Sequence, residues 1–353
     1  MLLRLLKDLV WRGGQAADER KILDSADVLI TERRHEEAIR ALTPLLERDP
    51  NSVRGLVLRG SARSSLGQLR EARADLRRAA DLAPQDALCL YELASVMHRL
   101  GDDRAALDYC ARARRLAPHQ PAAYFLQARI RFAGEPYLGV IERIIAHVQP
   151  RTYVEIGVFM GESLRLATPP IRAVGVDPEP RLPGPPAHNH KVFAETSDGF
   201  FARHDLRAEL GGLSVDLAFI DGLHLFDFAL RDFANLERHC TRGSSILIHD
   251  CYPLDRESAG REPRPNAWSG DIWRLIVLLK KYRPDLAVHV IGTPPTGLGL
   301  VRNLDPDSRF LGENHDRLRD EFLALDYSYL DEDMPGKLNL IPNEWNRIVG
   351  LLS

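Results

Sequence analysis

The 353-residue chain predicts an α solenoid followed by an α/β doubly wound sheet that ends in an antiparallel hairpin. Three observations carry this. Pro50, Pro84 and Pro118 recur at a spacing of 34 residues in the first third. From about residue 150, short β-branched runs alternate with helical-looking segments, the pattern of βαβ units on a parallel sheet. Near residue 300 two such runs are joined by a turn too short for a crossover, so they must pair antiparallel.

Composition narrows the function class. A hydrophobic fraction of 44% is that of an ordinary globular protein. The net charge of −3, with only a mild basic excess before residue 134, excludes a polycation and argues against a nucleic-acid partner. No apolar stretch approaches the length of a membrane span. Cys89, Cys110, Cys240 and Cys251 form no CxxC or zinc spacing, which reads as thiols in a reducing cytoplasm. Residues 1–18 ("MLLRLLKDLVW…") read as an amphipathic helix rather than a signal peptide, because Arg4 and Lys7 interrupt the apolar run. It either packs on the first repeat or touches a membrane surface.

The repeats occupy residues 19–134. Ala38, Ala72 and Ala106 hold one column, and Leu42, Leu76 and Cys110 the next. Small residues let two helices approach, larger ones fill the space beside them, and proline suits the helix boundary because it lacks a donor. One such pair cannot bury its face alone, so several must stack. The period and columns resemble the tetratricopeptide repeat. That resemblance implies a concave face able to hold a protein partner, with Arg54, Tyr91, Glu92 and His98 as candidates to line it.

Residues 135–150 read as a linker helix and 151–305 as the α/β domain. Its strands are "TYVEIG", "IRAVGVD", "KVFAE", "VDLAFID" and "SSILIHD", separated by helices at "GESLRLA", "DGFFARHDLRAEL" and "FDFALRDFANLERHC". A helix at about 271–281 precedes the hairpin "LAVHVIG"/"GLGLVRN", expected at the sheet edge. Residues 306–353 form a C-terminal extension with no role beyond packing or docking. In an open α/β sheet, ligands bind at the carboxyl ends of the strands. Asp177, Asp221, His249 and Asp250 all close strands and should face one crevice.

The order of these elements resembles the class I S-adenosylmethionine-dependent methyltransferase fold. The first strand runs into E-x-G-x-x-x-G (Glu155, Gly157, Gly161), which is not the dinucleotide fingerprint. The resemblance implies that Glu155 helps hold the methionine end of S-adenosylmethionine beside the glycine loop. Asp177 can accept hydrogen bonds from both ribose hydroxyls. Ser197 and Asp198 lie where such folds contact adenine, or they cap the following helix.

The segments "FIDGLHLFDFALRDF", "SSILIHDCYP", "WSGDIWRLI" and "PTGLGLV" together resemble a bacterial family associated with O-methylation of sugars and polysaccharides. It implies a small-molecule or saccharide hydroxyl as methyl acceptor. It also implies Asp221, His249 and Asp250 as ligands of a divalent cation, Mg²⁺ or a transition metal; oxygen donors suit the first and imidazole the second. His224 takes the position of a general base, with Asp221 beside it. An imidazole with an ordinary pKa near 6.5 suits removal of a hydroxyl proton. The long polar loop "PLDRESAGREPRPNAWSGD" offers Trp268 and Asp271 to the acceptor. Two other classes stay open: a tetratricopeptide scaffold with a degenerate catalytic domain, and a metal-independent N-methyltransferase.

Overall fold

The computed structural model describes residues 2–264 and 268–352, with side chains from residue 17 onward. The chain divides into two compact units, Met1–Ile130 and Arg131–Ser353.

The first unit is a stack of antiparallel helices: α1 (Leu2–Thr31), α2 (His35–Arg48), α3 (Val53–Ser65), α4 (Leu69–Leu82), α5 (Ala87–Arg99), α6 (Asp103–Leu116) and α7 (Ala122–Arg131). The amphipathic segment expected over residues 1–18 is not a separate element, because α1 runs unbroken to Thr31. The side chains that would make it amphipathic lie outside the described residues. Pro50, Pro84 and Pro118 each sit two positions past the end of a helix, where a missing donor costs nothing. The Ala38/Ala72/Ala106 and Leu42/Leu76/Cys110 columns are completely buried. The turn inside each pair needs a left-handed residue, supplied by Gly67 and Gly101 but by Arg33 in the first pair. The first copy therefore keeps the backbone while losing the glycine that would mark it.

The second unit opens with α8 (Tyr137–Val148). Its sheet contains β1 (Thr152–Ile156), β2 (Arg172–Asp177), β3 (His190–Ala194), β4 (Val215–Ile220), β5 (Cys240–His249), β6 (Ala287–Ile291), β7 (Leu298–Arg302) and β8 (Leu340–Ile341). The order is β3-β2-β1-β4-β5-β7-β6-β8. β1 to β5 are mutually parallel, and β7 alone runs antiparallel to both its neighbours. Strand residues buried on both faces, such as Tyr153 and Val154, explain why these segments read as continuous apolar runs rather than alternating ones. On one face Ile141, Ile144 and Ile145 of α8 pack with Tyr153, Leu217, Phe219 and Leu247.

Between strands lie α9 (Ser197–Arg203), α10 (Leu206–Glu209), α11 (Phe226–Glu237) and α12 (Trp273–Tyr282). The helix expected at 161–167 is reduced to one 3₁₀ turn, Leu164–Leu166. Loop residues that serve the site occupy the rest of that short stretch. The expected antiparallel hairpin is present as β6 and β7, with β7 inserted between β5 and β6. It is not at the sheet edge, because β8 from the C-terminal extension pairs parallel with β6. The extension, which adds α13 (Phe310–Glu313), α14 (His315–Leu323), α15 (Met334–Lys337) and α16 (Trp345–Leu352), thus supplies the last strand and caps an otherwise open edge.

Candidate functional site

The parallel strands end on one rim, and a cavity of about 610 Å³ opens there. Asp177, Gly157, Asp221 and His249 line it in the order of their strands β2-β1-β4-β5, joined by His224 from the loop after β4 and by Ser197 and Asp198 from the segment after β3. The β1 and β4 ends meet at Gly157. Its φ is +89°, and a Cβ there would stand 2.1 Å from the Asp221 carbonyl oxygen. No side chain fits, so the glycine lets the Asp221 loop close over the end of β1.

Asp177 holds the other side of this loop. Its Oδ2 accepts from the backbone N–H of Val158 (2.9 Å) and Phe159 (2.8 Å), and its Oδ1 from that of Glu179 (2.7 Å). A carboxylate has about four acceptor positions, so capacity for a further donor remains on the cavity side.

At the ends of β4 and β5 four side chains converge. His249 Nδ1 lies 3.0 Å from Asp221 Oδ1, His224 Nδ1 2.8 Å from Asp250 Oδ2, and His224 Nε2 3.4 Å from Asp221 Oδ1. Thr296 donates to the other oxygen of Asp250. Tyr137 packs its ring 4.1 Å from that of His249. His224 and Asp250 both adopt left-handed backbone, with φ +56° and +60°, a costly conformation that clusters at functional sites. Burial alone would make both histidines less basic. Asp250 and Asp221 outweigh it and raise both, His249 to about 10. Burial likewise works against the two carboxylates, yet the histidines hold both well below the usual range. As it stands, the cluster balances two anions with two cations.

The His224–Asp250 contact is close but not aligned as a hydrogen bond. His224 Nδ1, Asp250 Oδ2 and His249 Nε2 are all buried without a hydrogen-bond partner among the described residues. One ligand atom each of Asp221, His224 and Asp250 lies within 4.8 Å of the others. The two carboxylates fit a divalent cation, and the imidazole beside them would turn the preference to the transition series only when neutral.

These strand-end carboxylates on one cavity agree with the family comparison. Residues 154–251 match the family model of a methyltransferase domain, and residues 57–121 that of a tetratricopeptide repeat. The chain joins tetratricopeptide repeats to a methyltransferase domain. No match was found among curated proteins. Similar solved structures include MamA protein (24% identity, covering 37% of this chain and 69% of that chain, TM-score 0.30). Another is the first tetratricopeptide domain of Spaghetti (RPAP3) bound to an HSP90 peptide (19%, 30% and 83%, TM-score 0.29). A third is the type III secretion translocator chaperone SycD of Yersinia enterocolitica (18%, 31% and 77%, TM-score 0.29).

Several expected residues of the methyltransferase domain stand elsewhere. Glu155 is fully buried and does not line the cavity; its oxygens accept from the hydroxyls of Tyr153 and Ser163, each at 2.8 Å. Burial pushes it up to about 8 despite those two bonds. It braces the glycine loop from behind rather than facing a ligand. Gly161 lines a separate depression beside Leu182 and Pro183. Asp198 is paired with Arg231 at 3.0 Å. Thr196, not Ser197, caps α9 through the N–H of Gly199.

The two residues offered to the acceptor are supports. Asp271 is completely buried, accepting from the Phe226 N–H at the start of α11 and pairing with Arg261 and Arg274. Trp268 stacks on His224, with centroids 5.4 Å apart and planes 16° apart, and donates to the Gly260 carbonyl. Gly270 makes this approach feasible, because a Cβ there would meet the His224 carbonyl oxygen at 1.7 Å. Tyr137 and Asp232 are among the cavity residues that the sequence reading does not single out. Asp232 had a signal: it interrupts the buried face of α11 between Ala229 and Leu236.

Proposed function

We propose that the C-terminal unit is an S-adenosylmethionine-dependent O-methyltransferase acting on a small-molecule or saccharide hydroxyl in the cytoplasm, and that the repeats dock a protein partner on their concave face. One observation carries the enzymatic part: a single cavity runs from Asp177 to the Asp221/His224 cluster. Its volume lies within the range of small-molecule sites. Asp177 would hold the ribose hydroxyls, the Gly157 loop would pass beneath the methionine end, and Ser197 and Asp198 would border the base. The reactive methyl would then point toward the histidine–aspartate cluster.

There the chain's own groups do the chemistry of the acceptor. His224, stacked by Trp268 and anchored by Asp250, would take the hydroxyl proton in its neutral form, which it reaches once the charge of Asp221 and Asp250 is balanced by something other than its own proton. Asp221 and Asp250 would hold a divalent cation, with His249 behind Asp221. When bound, such a cation lowers the pKa of a coordinated hydroxyl. Protein groups fix donor and acceptor in line, and that positioning supplies much of the rate.

The test is an acceptor screen with isotopically labelled methyl donor, read by product mass. Label on an oxygen of a small molecule or glycan supports the proposal. Label only on nitrogen, unaffected by chelators, would replace it with N-methylation. Binding of donor without transfer to any acceptor class would favour the scaffold reading.

A further inference from the structure

One carboxyl on the cavity wall has no task in the reading above. Asp232 on α11 is 4% exposed and lines the cavity, yet its Oδ1 has no hydrogen-bond partner among the described residues. The other cavity acids named above are engaged: Asp177 with loop amides, Asp198 with Arg231, Asp221 with His249. Arg231, one residue away, spends its guanidinium on Asp198 and so ties α11 to the start of α9. Asp232 is left beside Ser197, with its Oδ2 3.9 Å from where a Cβ on Gly222 would stand.

Ser197 hydrogen-bonds the Asp232 carboxyl, and an oxygen left unsatisfied on a buried carboxyl costs stability. A chain that keeps one on a cavity wall keeps it for what enters the cavity. Burial is the main influence on Asp232 and raises it to about 7, with Ser197 opposing. The neutral form therefore persists to near-neutral pH. A neutral carboxyl presents an O–H donor and a carbonyl acceptor side by side. Adenine presents the complementary pair, a ring nitrogen next to an exocyclic amine.

Position agrees with chemistry. A nucleoside whose ribose lies on Asp177 and whose reactive end lies toward Asp221 and His224 leaves its base over residues 196–198 and α11. We propose that Asp232, assisted by Ser197, reads the base of the nucleoside cofactor, donating to the ring nitrogen and accepting from the amine. This rests on the cofactor assignment made above.

The test uses the full chain and calorimetry with two ligands, S-adenosylhomocysteine and its analogue with hydrogen in place of the 6-amino group. Wild type should prefer the parent by about tenfold, the worth of one good buried hydrogen bond. Asp232→Leu should lose that preference and bind the parent about tenfold more weakly, while its ligand-free melting temperature holds or rises. Asp232→Asn, which keeps a donor and an acceptor, should retain part of the preference. Equal binding of both ligands by wild type, or an unchanged preference in Asp232→Leu, overturns the assignment of the base. A lower ligand-free melting temperature in both variants with unaltered affinities would mark a structural carboxyl and overturn it too. Failure of wild type to bind either ligand would instead remove the cofactor reading on which it stands.

Discussion

His224 Nδ1 sits 2.8 Å from Asp250 Oδ2, joining the loop after β4 to the end of β5. Both residues hold left-handed backbone to make the contact. Gly270 and Trp268 fix the imidazole from the other side. Strain at adjacent positions, each reinforced by packing, keeps the ring in one orientation before any ligand arrives, which is what a group that moves a proton requires.

His224→Ala is therefore expected to lower turnover by at least about a hundredfold, the usual worth of a positioned general base. Cofactor affinity should change little, because Asp177 and the Gly157 loop stand at the ends of β2 and β1. Calorimetry and a methyl-transfer assay on the same preparation separate the two. Bound-metal content should persist in this variant; its loss would make His224 a ligand and not the base.

Asp177→Ala should weaken S-adenosylhomocysteine binding by more than about tenfold and also lower the melting temperature. Both effects follow from the same oxygens. They accept three backbone N–H bonds from residues 158, 159 and 179, and charge-assisted bonds of this kind are worth about 1.5–3 kcal/mol each. Unchanged affinity in a destabilised variant would confine Asp177 to holding the loop.

A metal-dependent reaction should be suppressed by a chelator and restored by added cation. With two carboxylates as the protein's ligands, restoration should come from Mg²⁺ or Mn²⁺. Asp250→Asn should lower metal content, measured by elemental mass spectrometry, more than His249→Gln does. Full activity in excess chelator would dismiss the cation and leave the carboxylates as partners of the two histidines.

Much of this arrangement was legible because strand ends announce themselves. A β-branched run that stops on Asp177 or Asp221 places the residue at the rim whatever packs behind it. Side-chain direction was less legible. Glu155 lies one position before the glycine loop's strand ends, yet pleating turns it inward to Tyr153 and Ser163. Asp271 follows the polar loop but becomes the acceptor for α11. Asp232 is hidden in the sequence because an acid on an amphipathic helix reads as solvent-facing unless the apolar column is counted through it. The place of β7 between β5 and β6 depends on long-range pairing, which a hairpin's local signal does not contain.

Glu155 gives the fold a defined pH dependence. Its carboxyl rises from an ordinary value of 4.5 to about 8, chiefly through burial. The folded state therefore holds its proton where the unfolded chain releases it. Stability from this group is fully present below about pH 4.5 and is lost as pH climbs to about 8. Glu155→Gln keeps an acceptor for one hydroxyl, offers an N–H to the oxygen of the other, and cannot ionise. It should gain melting temperature relative to wild type at pH 8, and less or none at pH 5. A constant difference across that window would mean Glu155 is ionised in the native protein.

In the repeats, Gly60 shows how closely one helix pair is packed. A Cβ there would lie 2.6 Å from Leu76 Cγ, and Leu76 has no exposed surface into which it could retreat. Gly60→Val should separate α3 from α4 and cost about 1–3 kcal/mol, the usual penalty for overpacking. Gly60→Ala already places its Cβ 2.6 Å from Leu76 Cγ, which outweighs a helix-propensity gain of about 1 kcal/mol, so it should destabilise too, by less than Gly60→Val. Thermal circular dichroism of the full chain at a helix-sensitive wavelength orders the three proteins. Equal melting of Gly60→Val and wild type would show that the pair has slack these distances do not allow.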